Sequence, residues 1–177
     1  MRLGRSFLAV SVGLAFALLA RPASAEVLNA APGGFVVQHR AALALPAEKA
    51  WARLVQVQSW WSPEHTYSGA SRNLSLRLSP GGCFCERLPA GGFAKHAEVV
   101  QLQPRKLLRL SGSLGPLQAL GAAGALSFAL ADAEGGTQVT LTYQVGGFAA
   151  DGLDKLAPLV DQVLGEQLKR LATLPAR

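Results

Sequence analysis

Four side chains that could do chemistry lie close together in the chain: the thiols of Cys83 and Cys85, the imidazole of His96 and the carboxylate of Glu98. Residues two apart on a strand share a face, so Cys83 and Cys85 point the same way. If Pro89-Ala90-Gly91-Gly92 is a four-residue hairpin loop, Leu88 faces Phe93. Cys85 then lies opposite His96, Cys83 opposite Glu98 and Glu86 opposite Lys95. Opposed Cβ atoms sit ~5 Å apart, so one face would carry Cys83, Cys85, His96 and Glu98. With S and N ligands at about 2.0–2.3 Å, such a set could hold zinc, or copper, through Cys83, Cys85 and His96. His65 could be drawn in as a further ligand.

The same residues admit two other readings. Cys85 could act as a nucleophile whose pKa His96 lowers, with His96 or Glu98 also available as acid or base. Alternatively, the cysteines are small buried hydrophobes in a cavity wall or core, and a register slip of one residue would move His96 to the other face. A Cys83–Cys85 disulfide would ask two strand residues near the ~7 Å limit of Cα separation to bridge, so two free thiols are expected. No Gly-x-Ser-x-Gly, His-Glu-x-x-His or phosphate-loop pattern occurs, so no signature selects a reaction.

Aromatic residues form the second group. Trp51 falls on the apolar stripe of a helix and belongs to the core. Trp60 and Trp61 are adjacent, cannot both face inward from one helix, and so place one ring at a cavity mouth. Apolar ligand sites combine aromatic walls with a few polar groups. The expected ligand-binding set is Trp60, Trp61, His65, Tyr67, Cys83, Cys85, His96, Arg109, Phe128, Tyr143 and Leu164. His65, Tyr67 and Arg109 would supply orientation. The apolar passage Leu114 to Leu120, between Gly112 and Gly121, is either a lid over the cavity or a loop packed on its neighbours.

These residues must be positioned by strands and two helices. Phe35 to Leu45 alternates as a half-buried strand. Pro46 suits a first helical turn and Glu48 its positive end, so a helix runs from there to about Trp60, where Pro63 prevents continuation. Strands follow at Asn73–Ser79, Cys83–Leu88, Phe93–Leu102, Leu107–Ser113, Ala125–Leu130 and Thr137–Val145, separated by Gly- and Pro-rich turns. A last amphipathic helix begins near Asp151 and buries the stripe of Leu153, Leu156, Val160, Leu164, Leu168 and Leu171. Pro158 either kinks that helix or marks its true first turn.

The N-terminus reads as an export signal. Arg2 and Arg5 precede an uncharged apolar run from Phe7 to Ala20, and Ala23-Ser24-Ala25 offers a small-x-small cleavage site. The run is shorter than the ~20 residues of a membrane span, so no stable anchor is expected after cleavage. Cleavage after Ala25 leaves 152 residues with 14 basic and 11 acidic side chains, a net charge of +3. The remaining Lys and Arg are scattered, which argues against a nucleic-acid stripe. The expected organisation is a signal at 1–25, a flexible leader at 26–34 and one α+β domain at 35–173.

In this order of elements the chain resembles the START-like, or SRPBCC, superfamily. The resemblance rests on Leu45-Pro46-Ala47-Glu48-Lys49-Ala50-Trp51, Trp60-Trp61-Ser62-Pro63, the Gly81-Gly82 turn and His96-Ala97-Glu98-Val99-Val100. Pro104-Arg105-Lys106-Leu107-Leu108-Arg109-Leu110, Gly136-Thr137 and the terminal helix complete it. It implies a helix-grip fold, a curved antiparallel sheet of about six to seven strands around a long C-terminal helix with an apolar cavity between them. Members include lipid and hormone binders and polyketide cyclases, so the fold does not choose among activities. The expectation is a secreted, periplasmic protein that holds an apolar or amphipathic small molecule or lipid and needs no cofactor. A cyclase- or hydrolase-type enzyme in the same cavity, and a Cys/His metal-binding protein, are the alternatives.

Overall fold

Period-two burial organises most of the chain. Strand β2 (Gly34–Leu43) buries Phe35, Val37, His39 and Leu43 and leaves Arg40 exposed. Strand β8 (Gly136–Gly146) buries Thr137, Val139, Leu141, Tyr143 and Val145 on the face it shares with them. These alternations pair over ten positions, from Gly34 opposite Gly146 to Leu43 opposite Thr137. The computed structural model describes residues 25–174; the candidate export signal lies outside them apart from Ala25.

The remaining strands are β1 (Ala25–Ala31), β3 (Leu74–Leu76), β4 (Cys83–Arg87), β5 (Phe93–Gln103), β6 (Leu107–Gly112) and β7 (Ala123–Ala133). All eight form one antiparallel sheet in the order β1-β2-β8-β7-β6-β5-β4-β3. The architecture is therefore α+β, with eight strands where six or seven were expected. The additional strand is β1, in the segment expected to be a flexible leader. Its sequence shows no strong alternation: it pairs with β2 through its backbone, and only Val27 among its described side chains is partly buried against the core. The pairing shifts register between Val27 and Asn29.

Helix α1 (Ala47–Leu54) starts after Pro46 with Glu48 in its first turn. The expected single helix to Trp60 is broken at Gln56, whose ψ of 60° is not helical, and a short α2 (Val57–Trp60) follows. Trp60 ends α2, but Trp61 is already extended. This change of backbone direction lets both indoles turn inward, which a continuous helix would forbid. Trp60 packs edge-on against Phe128, Trp61 edge-on against Phe84.

The C-terminal helix α3 (Ala157–Thr173) follows a 3₁₀ turn at Asp154–Leu156, and Pro158 lies in its first turn. Pro158 thus marks the true start and does not kink the helix. α3 packs on β2 and β1 and buries Leu164, Gln167, Leu168 and Leu171. It lies close against the sheet at Gly165, where an added Cβ would lie 2.8 Å from Cε1 of His39. His39 is buried, with Nε2 2.9 Å from the Asp161 carboxylate one turn earlier on α3.

Ala in place of Gly inside a helix usually stabilises by ~1 kcal/mol. Here the sign reverses: Gly165→Ala is expected to destabilise by about 1–3 kcal/mol through overpacking on the imidazole. Chemical denaturation of Gly165→Ala, alone and combined with His39→Ala, checks this; the loss should shrink when the ring is absent.

Candidate functional site

The hairpin joining β4 and β5 builds the site. Its loop runs from Leu88 to Gly92, one residue longer than expected, closed by the Leu88 N–H donating to Gly92 at 2.8 Å. Near the turn Arg87 therefore faces Phe93, Glu86 faces Ala94 and Cys85 faces Lys95. A bulge on β5 then takes up one residue, His96, and beyond it Phe84 faces Ala97 and Cys83 faces Glu98. A bulge re-aims side chains at the extra residue. His96 and Ala97, adjacent in sequence, are both buried.

This register corrects the expected cluster. Phe84 and Glu86 point inward, whereas Cys83 and Cys85 occupy the other face of β4 and are half-buried. The cysteines form a disulfide with Cα atoms 5.3 Å apart, not two free thiols. Full extension would separate them by about 6.7 Å; the departure from regular pairing at Phe84/Cys85 brings them closer. Glu98 donates nothing to the inner face and accepts from Lys95 Nζ at 2.8 Å. The proposed zinc or copper set of Cys83, Cys85 and His96 is therefore not assembled, and neither is a Cys85–His96 nucleophile pair. Among the described residues no group of three or more His, Cys, Asp and Glu side chains gathers as metal ligands.

His96 has a different partner, which sequence reasoning placed opposite Lys95. Its Nε2 lies 3.0 Å from Oε2 of Glu86, which is wholly buried. The Glu86 carboxylate also accepts from the backbone N–H of Tyr67 at 3.1 Å and of Ser68 at 2.5 Å. Burial works against charge on Glu86, but the donors from Ser68, Tyr67 and His96 outweigh it and hold the carboxyl below its ordinary range. Burial pushes the His96 imidazole down, against the opposing pull of Glu86. At neutral pH the pair is therefore a carboxylate and a neutral imidazole. The alternation that makes Phe84 an inward residue was the signal for Glu86. The backbone donors had none.

The His96 ring lies between Tyr67, stacked at 5.6 Å, and Phe84 at 5.1 Å. All three line a cavity of about 330 Å³. Its second wall is α3, through Leu159, Val160, Val163 and Leu164; Trp61, Glu64, His65 and Thr66 close one end, and Leu114, Gly115 and Pro116 the other. Since β2 and β5 lie four strands apart, the sheet must bend for α3 to rest on β2 and also share a cavity with β5.

Both ends are tied. Ser62 N–H donates to Gln167 Oε1 at 2.7 Å, Arg170 Nε to the Trp60 carbonyl at 2.9 Å, and His65 Nε2 lies 3.0 Å from Glu166. The His65 contact leads the interactions that lower the Glu166 carboxyl pKa. At the other end Tyr67 Oη donates to the Gly115 carbonyl at 2.8 Å. Tyr143 Oη donates to the Gly112 carbonyl and receives the Leu114 N–H, and burial pushes its hydroxyl up to about 12. The Leu114–Leu120 passage is thus packed on its neighbours, with Leu117 fully buried and Leu114, Gly115 and Pro116 lining the cavity.

Of the expected ligand-binding residues, Trp61, His65, Tyr67, His96 and Leu164 meet at the cavity. Trp60 and Phe128 lie beneath it in the core, where Trp60 Nε1 donates to the Leu54 carbonyl at 3.0 Å. Tyr143 supports the Leu114–Leu120 passage without lining the cavity. Arg109 faces away, bonded to Ser127 and Gln101. Cys83 and Cys85 are on the opposite side of β4. The residues missed are Phe84, Glu86, Glu64, Thr66 and the apolar row of α3 around Val163.

With this geometry in hand, comparison with known proteins places the fold. The chain matches no protein-family model and no curated protein. Solved structures do match. Protein MLL2253 from Mesorhizobium loti is 19% identical with a TM-score of 0.55, covering 77% of this chain and 93% of its own. An uncharacterised protein from Rhizobium leguminosarum is 18% identical (TM-score 0.56; 86% and 96% covered). CalU16 from Micromonospora echinospora is 12% identical (TM-score 0.55; 86% and 83% covered). The fold is shared. At these identities the likeness extends to the fold alone.

The buried pair makes the protein acid-sensitive in a defined window. The unfolded chain binds a proton on His96 near 6.5 and on Glu86 near 4.5, and the folded chain resists both. Both folded pKa values are depressed, so stability is full above the unfolded values and is lost as pH falls. Denaturant titrations should show stability declining from about pH 6.5 downward, and His96→Phe should remove the upper part of that decline. An unchanged upper limb in the variant would contradict the assignment.

Proposed function

We propose that this protein binds an apolar or amphipathic small molecule between α3 and the β4–β5 end of its sheet, as a START-like domain of the helix-grip type. The observation that carries this is the cavity itself, about 330 Å³ and walled by Trp61, Phe84, Leu114, Val160, Val163 and Leu164 around the buried His96–Glu86 pair. Ligand sites have this composition, with mostly apolar walls and few fixed polar groups, and volumes from ~300 Å³ upward. Binding would be driven by burial, at ~25 cal/mol per Å² of apolar surface. The signal-like N-terminus supports an exported, periplasmic setting, in which the protein carries or sequesters its ligand.

One observation favours a second reading. Glu86 orients His96 as a carboxylate orients a catalytic base, so the same cavity suits acid–base chemistry of the cyclase or hydrolase kind. Cys85 and Glu98 take no part in it.

Native mass spectrometry of the protein purified from the periplasm of an exporting host tests the first reading. An organic mass lost on denaturation is expected, and it should be absent from Val163→Trp, whose indole fills the cavity from the half-buried face of α3. The variant should retain the wild-type Tm within a few degrees. Ligand-free wild-type protein that also takes up no hydrophobic compound would defeat the proposal.

A further inference from the structure

The polar floor of the cavity has a definite sense of donors and acceptors. An ionised Glu86 accepts only, and it already receives the N–H groups of Tyr67 and Ser68. The proton between it and His96 must therefore sit on Nε2 of the imidazole, which leaves Nδ1 a bare lone pair in the neutral ring. Among the described residues Nδ1 has no hydrogen-bond partner. Nor is it sealed: among the described residues, the buried side-chain polar atoms that lack a well-formed hydrogen bond are His39 Nε2 and Asp161 Oδ1, which face each other at 2.9 Å, and Nδ1 of His96 is not one of them. Nδ1 is therefore an accessible acceptor on a ring that lines the cavity.

The charges around it exclude one common ligand class. Among the described residues no Lys or Arg lines the cavity; the ionisable lining residues are Glu64, His65, Tyr67 and His96. His65 is engaged by Glu166, and Glu86 adds a negative charge behind His96. A ligand carboxylate would be desolvated there with no cation to meet it. A ligand ammonium would also lose its hydration; Glu86 already has three donors, and Glu64 is exposed to solvent, where water screens its charge.

We propose that the cavity selects an uncharged ligand with an apolar body and a hydroxyl group, which donates its hydrogen to Nδ1 of His96. This rests on the cavity being a ligand site and names the chemical class it takes. The hydroxyl would replace water at Nδ1 while the body covers Trp61, Val160 and Val163. Fatty acids and other amphiphilic anions would be rejected.

Equilibrium dialysis with 2-naphthol, its methyl ether, naphthalene, 2-naphthoate and naphthalene-2-methylamine tests this at pH 7.5. One donated hydrogen bond predicts 2-naphthol binding about 5- to 10-fold tighter than the ether and naphthalene, with the naphthoate weakest. In His96→Phe that advantage should vanish while naphthalene still binds. Equal affinities for naphthol and ether, an advantage that survives in His96→Phe, or tightest binding of the naphthoate or the amine would each overturn the hydroxyl assignment and leave the cavity reading standing. Failure of all five compounds to bind would overturn both.

Discussion

The Glu86 carboxylate has no contact with solvent, and that constraint organises the end of the molecule where the cavity lies. An ionised carboxylate taken out of water is tolerated only where donors replace the lost hydration. Glu86 finds three: two consecutive backbone N–H groups at Tyr67 and Ser68, and the imidazole of His96. Supplying the first two fixes the chain after Trp61 against β4. Supplying the third requires β5 to turn His96 inward, which regular alternation would not do beside a buried Ala97. The bulge is the structural answer to that demand, and it leaves the other imidazole nitrogen an accessible acceptor.

A second set of bonds holds the facing wall. α3 reaches β2 through His39 lying on Gly165, but toward the cavity it is tied to the Trp60–His65 segment through Gln167, Arg170 and Glu166. Gln167 is itself fully buried, so its bond to the Ser62 N–H is not exchanged for water at low cost. The helix is thus held on the sheet side by packing on His39 and tied on the cavity side to the Trp60–His65 segment by three polar contacts. Phe84 and the apolar row of α3 line the same cavity.

How much of this could be read beforehand follows from which forces leave a trace in one-dimensional order. Alternation marks strands buried on one face, so β2, β6 and β8 were legible nearly to their ends, as was the stripe of α3. β1 was not, because an edge strand that pairs through its backbone and buries little side chain need not alternate. The aromatic cavity wall was legible in Trp61, Tyr67 and His65, whose types suit it. The chemistry was misplaced by a single residue of loop length. A four-residue loop puts Cys85 opposite His96; the actual five-residue loop with a compensating bulge puts Cys85 opposite Lys95 and brings Glu86 to His96. Turn length and bulges depend on what the rest of the fold needs satisfied, and here that need came from Glu86, which is distant in sequence from its backbone donors.

The persistence of the cavity is itself an energetic argument. Were it sealed and dry, a void of about 330 Å³ at ~24 cal/mol per Å³ would cost about 8 kcal/mol, comparable with the entire stability of a typical domain at ~5–15 kcal/mol. The fold does not bear that cost, because the cavity is not sealed: Glu64 and Tyr67 in its lining are exposed to solvent. Water gains little against the remaining wall of Trp61, Val160, Val163 and Leu164. A molecule that covers those side chains and returns one hydrogen bond to His96 would therefore bind the folded state alone, and it would stabilise that state in proportion to the logarithm of its concentration over Kd.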